Sequence, residues 1–283
     1  MSANQAKQFT HIIYKVDGRV ATITLNRPER LNALDHGPGS MQREVIEGLE
    51  LADANPEVGC VVVTGAGRAF SSGGNLGNAE LPVGATDYYW FLTTEDIDNE
   101  RIFELRKPVI GAINGLCYGA ALMMAVHFDI LIASEQASFG LIETRMGGTG
   151  VDVLSYLVGA QWARFLALSG ELISAAKAKE IGLVLEVFRP EIFEAKVYDL
   201  ARRIAAMPRD AVIFNRRLVN ASLRAMGWGM QKQLARALNS VANSVGEQAV
   251  VADGRSFAEL KKQGWKTFKE ARDAAFKKPW LES

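Results

Sequence analysis

The amino-acid sequence predicts an α/β protein with a parallel sheet and crossover helices. Residues 60–64 form a run that is apolar on both faces, which is typical of a strand covered on both sides. Residues 19–25 alternate between apolar and polar side chains, as a half-buried strand does. Between them, residues 41–49 carry apolar side chains at helical spacing, and the helix–strand order repeats through residues 109–113 and 130–133. This alternation favours a parallel sheet.

The second half of the chain is predicted to be largely helical. From residue 161 onward strand signals fade, apart from residues 183–187, and helical stripes dominate, such as Phe193, Val197, Leu200 and Ile204. Residues 259–278 combine lysines and aromatic residues in the pattern of an exposed amphipathic helix. Residues 109–133 are apolar enough to suggest a membrane span, but polar residues and glycines interrupt them. We therefore predict a strand, a turn, a buried helix and a second strand there.

The composition excludes several functional classes. The 283 residues include 32 acidic and 32 basic side chains, so no overall field attracts nucleic acid or an anionic membrane, and we expect neither as a partner. The two cysteines, Cys60 and Cys117, lie in apolar runs and are expected to be packed thiols in a reducing compartment. The amino terminus lacks the pattern of a signal peptide, which favours the cytoplasm. The histidines, His11, His36 and His127, show no metal-ligand spacing, so no metal is expected.

Two glycine-rich segments follow predicted strands. Residues 64–76 read TGAGRAFSSGGNL, and residues 107–121 read KPVIGAINGLCYGAA, with a helix predicted to begin near Gly119. Small residues allow the backbone to approach a ligand closely, and the start of a helix leaves amide N–H groups unpaired. Taken alone, the first segment is explained better as an ordinary glycine-rich turn after a strand, and the second is explained equally well by a tight, packed crossover.

Two further motifs accompany these segments along the chain: NRPERLNAL at residues 26–34 and ASFGLIETRMG at residues 137–147. The four motifs, in this order, resemble those of the enoyl-CoA hydratase/isomerase (crotonase) superfamily. The resemblance covers roughly residues 10–260. It implies a spiral of ββα units followed by a C-terminal helical trimerisation region. We accordingly expect a spiral core with a CoA site over residues 1–200, and a helical oligomerisation region over residues 201–283. A homotrimer or a dimer of trimers is expected.

The resemblance also implies the ligand and the residues that hold it. The expected ligand is an acyl-CoA, with no cofactor beyond its CoA moiety. The backbone N–H groups of Gly74 and Ala120 correspond to the oxyanion-hole donors of the family, although glycine is usual at the position of Ala120 and alanine at that of Gly74. The residues expected to bind the CoA portion are Arg30, Leu31, Ala33, Ser72, Gly73, Asn75 and Leu76.

The resemblance leaves one glutamate as the expected acid/base. Family members that hydrate enoyl-CoA use two glutamates, which correspond here to Met123 and Glu143. A thioether cannot transfer a proton at neutral pH, so Glu143 alone is expected to act. The structural alternative is that Glu143 pairs with Arg145 or another surface cation. Asp152 is either a proton relay or, as the sequence favours, a helix N-cap.

One glutamate with an oxyanion hole predicts hydration or a double-bond shift of an enoyl-CoA. The alternatives are an aromatic enoyl-CoA hydratase-lyase and a non-catalytic acyl-CoA-binding member. The tyrosine expected of the hydratase-lyase branch is absent near Leu234 and Arg236. The aromatic residues 88–91 either shape an acyl pocket or form the apolar face of a helix. The basic pairs at 202–203 and 216–217 are too isolated to indicate an RNA site.

Overall fold

The structure, a computed structural model, describes residues 8–35, 37, 39–75, 82, 84–150, 153–251 and 253–281. Three residues considered above, His36, Leu76 and Asp152, lie outside the described residues. The chain folds into ten strands and ten α-helices within the described part, which confirms the α/β class. The strands are β1 Ile12–Asp17, β2 Val20–Leu25, β3 Cys60–Gly65, β4 Ala69–Ser71, β5 Val109–Ile113, β6 Leu116–Tyr118, β7 Ile130–Ser134, β8 Ser138–Gly140, β9 Leu172–Ser174 and β10 Glu186–Phe188. The helices are α1 Met41–Ala54, α2 Ala85–Glu104, α3 Ala120–Ala125, α4 Ser155–Ser169, α5 Ala175–Glu180, α6 Pro190–Ala205, α7 Arg209–Ala225, α8 Trp228–Ser244, α9 Phe257–Lys262 and α10 Trp265–Arg272.

The strands form two sheets that are built up together along the chain. The larger sheet has the order β1-β2-β3-β5-β7-β10, with β1 antiparallel to β2 and the other neighbours parallel. The smaller sheet has the order β4-β6-β8-β9. Each of the strand pairs β3–β4, β5–β6 and β7–β8 contributes one strand to each sheet. Because the three pairs are neighbours in both sheets, their ends are aligned, and three successive loop segments lie side by side.

Both faces of the larger sheet are covered, as the apolar run in β3 predicts. Val61 and Val63 pack into the main core, whereas Cys60 and Val62 pack on the opposite face against α6. Helix α6 contributes apolar side chains such as Val197 to that second cluster. The predicted boundary at residue 200 falls inside this helix, which spans Pro190–Ala205. The strand expected over residues 183–187 begins later, at Glu186.

The C-terminal helices pack back onto the body through buried polar contacts. Arg216 of α7 forms an ion pair with Asp129 at 2.7 Å and donates to the carbonyl of Ile102 at 2.9 Å, near the end of α2. The side chain of Arg216 is only 7% exposed, so these bonds lie out of water. The guanidinium thereby satisfies carbonyl groups that the end of α2 leaves unpaired.

The prediction of one exposed amphipathic helix over residues 259–278 is wrong. The segment contains the end of α9, the whole of α10 and a 3-10 turn over Ala274–Phe276. Gly264, at φ +105°, separates the two helices because other residues rarely adopt this conformation. Phe268 is fully buried and packs edge-on against Phe257, so the segment forms a small core of its own.

The apolar stretch at residues 109–133 folds as β5, helix α3 and most of β7, as predicted, whereas the predicted turn between β5 and α3 contains the short strand β6. Among the described residues, every helix is too short or too polar to cross a membrane. Cys60 and Cys117 are both buried and unpaired, and burial raises the pKa of both thiols, that of Cys60 to about 12.

Candidate active site

A cavity of about 600 Å³ lies where the two glycine-rich segments meet the 3-10 turn Ile142–Met146 and helices α8 and α10. Its volume falls in the range of sites that hold small molecules and cofactors. The sequence-predicted site residues that the structure describes all line it, namely Arg30, Leu31, Ala33, Ser72, Gly73, Gly74, Asn75, Ala120 and Glu143. Residues that are up to 113 positions apart in the chain are thus brought to one cavity.

Backbone hydrogen bonds join the loop after β2 to the loop after β4. The amide of Leu34 donates to the carbonyl of Gly73 at 2.8 Å, and the amide of Asn75 donates to the carbonyl of Leu34 at 2.6 Å. The amide of Ser72 donates to the carbonyl of Leu31 at 2.9 Å. These bonds form a short parallel bridge, so the two expected CoA-binding segments make one continuous wall.

Asn32 holds the first of these loops in its unusual shape. Leu31 and Asn32 both have a left-handed backbone, at φ +53° and +52°, which non-glycine residues rarely adopt. The fully buried side chain of Asn32 donates to the carbonyls of Ala66 and Ala69, each at 2.9 Å, and accepts from the amide of Arg27. The buried hydrogen bonds of Asn32 offset the strain of the left-handed backbone and fix this loop against the segment between β3 and β4.

The second glycine-rich segment approaches the first very closely. Gly73 has φ +93°, and a Cβ atom at this position would lie 2.6 Å from the carbonyl oxygen of Tyr118 and 3.5 Å from the amide nitrogen of Ala120. Only glycine fits there. The amides of Gly74 and Ala120 lie on either side of this contact, and neither donates to an acceptor within the described residues. Ala120 is the first residue of α3, where an amide has no partner inside the helix.

The carboxyl group of Glu143 occupies a slot between two glycines. A Cβ atom on Gly119 would lie 2.5 Å from Oε1 of Glu143, and a Cβ atom on Gly150 would lie 2.6 Å from Oε2. Gly119 also has φ +54°, so both space and backbone conformation require glycine. The carboxyl group is consequently held beside the start of α3.

Burial raises the pKa of Glu143 to about 7, and a hydrogen bond from its own amide opposes this only in part. Oε2 is buried and has no hydrogen-bond partner among the described residues. The alternative that Glu143 pairs with Arg145 is wrong, because Arg145 instead forms an ion pair with Asp273 at 3.3 Å and lies 3.6 Å above the ring of Phe276. A carboxyl group with this pKa can both accept and return a proton near neutral pH.

Several lining residues were not foreseen, and one position considered for catalysis lies elsewhere. Met123 is not among the described residues that line the cavity; it packs against the main core. Of the aromatic residues 88–91, Tyr88 and Phe91 line the cavity, whereas Trp90 is 63% exposed. Among the lining residues that sequence reasoning missed, those on α8 and α10 are Asn239, Asn243, Trp265, Lys269 and Arg272. The i, i+4, i+7 spacing of the last three placed them on one helical face, but gave no sign of where that face would pack.

The described residues contain no group of three or more histidine, cysteine, aspartate or glutamate side chains that could hold a metal ion. The lining instead offers a single carboxylate in its described part, unpaired backbone amides, and cations at Arg30, Lys269 and Arg272. This set suits a ligand that carries a polarised carbonyl at one end and anionic groups at the other.

Two interleaved sheets with a glycine-lined cavity at the strand ends define an α/β protein of the crotonase fold class. Residues 15–279 match the sequence model of the enoyl-CoA hydratase/isomerase family, and the chain belongs to this family. The resemblance inferred from the four motifs is thereby confirmed.

Relatives whose names indicate different reactions have about the same sequence identity to this chain. A probable mitochondrial enoyl-CoA hydratase from Dictyostelium discoideum is 32% identical over 76% of this chain and 77% of its own length. A 1,2-epoxyphenylacetyl-CoA isomerase from Escherichia coli is 32% identical over 75% of this chain and 82% of its own. The crystal structure of an enoyl-CoA hydratase/isomerase from Xanthobacter autotrophicus superposes with a TM-score of 0.86 at 32% identity, covering 96% of this chain and all of that one.

Proposed function

We propose that this protein is an enzyme that acts on an enoyl-CoA by stabilising a thioester enolate, with Glu143 as its single acid/base. The observation that carries the proposal is the juxtaposition, in one cavity, of an unpaired buried carboxyl and two unpaired backbone amides. The family of the chain supplies the substrate class. The described lining holds no second carboxylate to share the proton transfer.

The amides of Gly74 and Ala120 are proposed to bind the thioester oxygen. When a proton is removed from the α-carbon, or when a nucleophile adds to the β-carbon, negative charge develops on this oxygen. Amide donors that are already fixed in place stabilise that charge without reorganising, and removal of one such donor typically costs about 10²–10³ in rate. The close approach at Gly73 sets the spacing between these two donors.

One carboxyl group is sufficient for either of two outcomes. In a double-bond shift, the Glu143 carboxylate removes an α-proton from a 3-enoyl-CoA, the enolate forms, and the same proton returns at the γ-carbon to give the 2-enoyl isomer. In hydration, the carboxylate takes a proton from water as the hydroxyl adds to the β-carbon, and the enolate then receives that proton at the α-carbon. In both cases the carboxyl holds one proton in transit and ends in its starting state. A pKa near 7 suits both halves of this cycle.

The rest of the cavity is proposed to hold the two ends of the substrate. Arg30 and the loop pair at residues 31–33 and 72–75 bind the CoA portion, with the arginine facing its phosphates. Tyr88, Phe91 and Leu92 supply an apolar wall for the acyl group. This chemistry uses no cofactor beyond the CoA moiety, so turnover is expected to persist in the presence of EDTA.

The proposal is tested by mass spectrometry of 2-enoyl-, 3-enoyl- and aromatic enoyl-CoAs incubated with the protein in D₂O. The wild type is expected either to add water, with deuterium at the α-carbon, or to shift the double bond of a 3-enoyl-CoA. Glu143→Gln is expected to slow this by about 10²–10⁴, whereas Glu57→Gln, at an exposed turn before β3, should not. Cleavage of an aromatic substrate would identify a hydratase-lyase. No change in any acyl-CoA would favour a non-catalytic binding protein.

We also infer that the protein forms a homotrimer or a dimer of trimers through its C-terminal helices. Apolar side chains on α7 and α8 are more than half exposed in the single chain, among them Leu218, Leu234, Leu238 and Val241. Apolar surface of this extent is typical of a protein–protein contact. Sedimentation velocity that gave a monomer at micromolar concentration would contradict this inference.

A further inference from the structure

Two asparagines on one face of α8 border the cavity close to the acid/base carboxyl. Asn239 and Asn243 are four residues apart, so their side chains are neighbours on the helix surface, and both line the cavity. Oδ1 of Asn239 accepts a hydrogen bond from the amide of Thr149 at 3.0 Å. Nδ2 of Asn243 donates to the backbone carbonyl and to Oδ1 of Asn239, each at 2.8 Å.

These bonds determine which way each amide group is oriented. The amide of Thr149 can only donate, so the atom of Asn239 that faces it must be the oxygen. Asn243 faces two oxygen atoms of Asn239, so the atom it presents to them must be the nitrogen. What remains is the Nδ2 group of Asn239, a donor, and Oδ1 of Asn243, an acceptor. Neither atom has a partner among the described residues.

The asparagine pair lies near the reacting atoms. The segment 148–150 separates it from Glu143: a Cβ atom on Gly148 would lie 3.5 Å from Oδ1 of Asn243, and a Cβ atom on Gly150 would lie 2.6 Å from Oε2 of Glu143. The ends of a three-residue segment are at most about 7 Å apart. A group held by the asparagines is therefore within reach of an acyl chain whose reacting carbons lie beside Glu143.

We propose that Asn239 and Asn243 recognise a hydroxyl group on the acyl chain of the substrate, beyond the carbons that react. A hydroxyl accepts one hydrogen bond and donates another, which matches Nδ2 of Asn239 and Oδ1 of Asn243. A ketone would leave the Asn243 oxygen unpaired, and a carboxylate would place negative charge against it. The substrate class that follows is a hydroxylated enoyl-CoA, aliphatic or aromatic. This inference rests on the proposed function, because it assigns the acyl end of the same cavity.

The test compares kcat/KM for pairs of enoyl-CoAs that differ only in one hydroxyl: aliphatic chains hydroxylated at successive carbons from C5 to C8, and a ring with or without a para-hydroxyl. At least one hydroxylated member is expected to be preferred about tenfold or more over its partner. Asn243→Leu, which keeps the volume and removes the acceptor, should bring that ratio close to one. Asn239→Asp, which keeps the acceptor for Thr149 and removes the donors, should also lower it.

The matched control is Asn215→Leu on α7. Nδ2 of Asn215 donates to the carbonyl four residues earlier, at 2.9 Å, as Asn243 does, but the side chain is exposed and lies outside the cavity lining. This variant should leave the hydroxyl preference unchanged.

Two results would overturn the inference. The first is a ratio of kcat/KM near one for every pair of substrates with the wild type. The second is an equal loss of kcat/KM for both members of a pair in Asn243→Leu, which would assign the asparagines to the reacting water or to support of the loop. If the wild type turns over no acyl-CoA at all, the proposed function fails. The dissociation constants of the same pairs, measured by calorimetry, then decide the hydroxyl preference separately.

Discussion

Replacement of Glu143 by glutamine is expected to remove activity and at the same time to stabilise the fold at alkaline pH. The carboxyl is buried without a partner for Oε2, and burial raises its pKa from 4.5 to about 7. In the unfolded chain the group ionises at its ordinary pKa. Between pH 4.5 and 7, therefore, the unfolded state releases a proton that the native state still holds.

The sign and size of the effect follow from this difference. A carboxyl whose pKa is raised on folding favours the native state below its unfolded pKa, and this contribution is lost as pH rises through the folded pKa. Each pH unit between the two values is worth about 1.4 kcal/mol. The total penalty for the wild type above pH 7 is therefore about 3 kcal/mol. Glutamine has the same shape and no charge to bury, so Glu143→Gln escapes this penalty.

Urea unfolding of the wild type and the variant at pH 5 and at pH 8, at one protein concentration, measures the effect. The difference in unfolding free energy between variant and wild type is expected to be larger at pH 8 by about 2–3 kcal/mol. The same titration should appear in catalysis, because kcat/KM of the wild type should rise through pH 7 as the base ionises. An equal difference at both pH values would refute the assignment of a raised pKa to Glu143.

Three other outcomes follow from the same contacts. Gly150→Ala is expected to lower kcat by about 10²-fold with little loss of stability, because the new methyl group displaces the Glu143 carboxyl; steady-state kinetics and thermal melting check this. Arg216→Ala should cost about 3–5 kcal/mol in urea unfolding, because it removes the ion-pair partner of Asp129 and leaves the carbonyl of Ile102 without its donor; a loss below 1 kcal/mol would contradict the structural role. Cys60 and Cys117 should not react with a thiol reagent at pH 8 until the protein is unfolded, since both are buried with raised pKa values; rapid labelling of the native protein would contradict this.

The larger sheet was largely predictable because its strands carry their own pattern. The predicted strand at residues 109–113 coincides with β5, and those at residues 19–25 and 60–64 differ from β2 and β3 by one residue. The smaller sheet was not foreseen. Its strands are three residues long, which is too short for any periodicity to be read, and they form only because the neighbouring strands of the spiral align them.

The candidate site was predictable where local backbone chemistry defines it. Gly73, Gly119 and Glu143 occur within motifs whose spacing the family shares, and the turn and helix start that they need are encoded by adjacent residues. The motifs gave no information about which residues surround the carboxyl group of Glu143. The sequence offered Arg145 as the nearest partner of Glu143, but that arginine pairs with Asp273, which is 128 residues away along the chain.

The sequence by itself determined the α/β class, the family and the residues proposed to carry the chemistry, because each depends on patterns within a few residues. Only the tertiary structure decided that Met123 packs against the core, that Gly150 leaves space for the Glu143 carboxyl, and that α8 and α10 border the cavity and bring Asn239 and Asn243 into its lining. These features depend on the packing of segments up to a hundred residues apart, and an amphipathic helix shows which face is buried without showing what that face packs against.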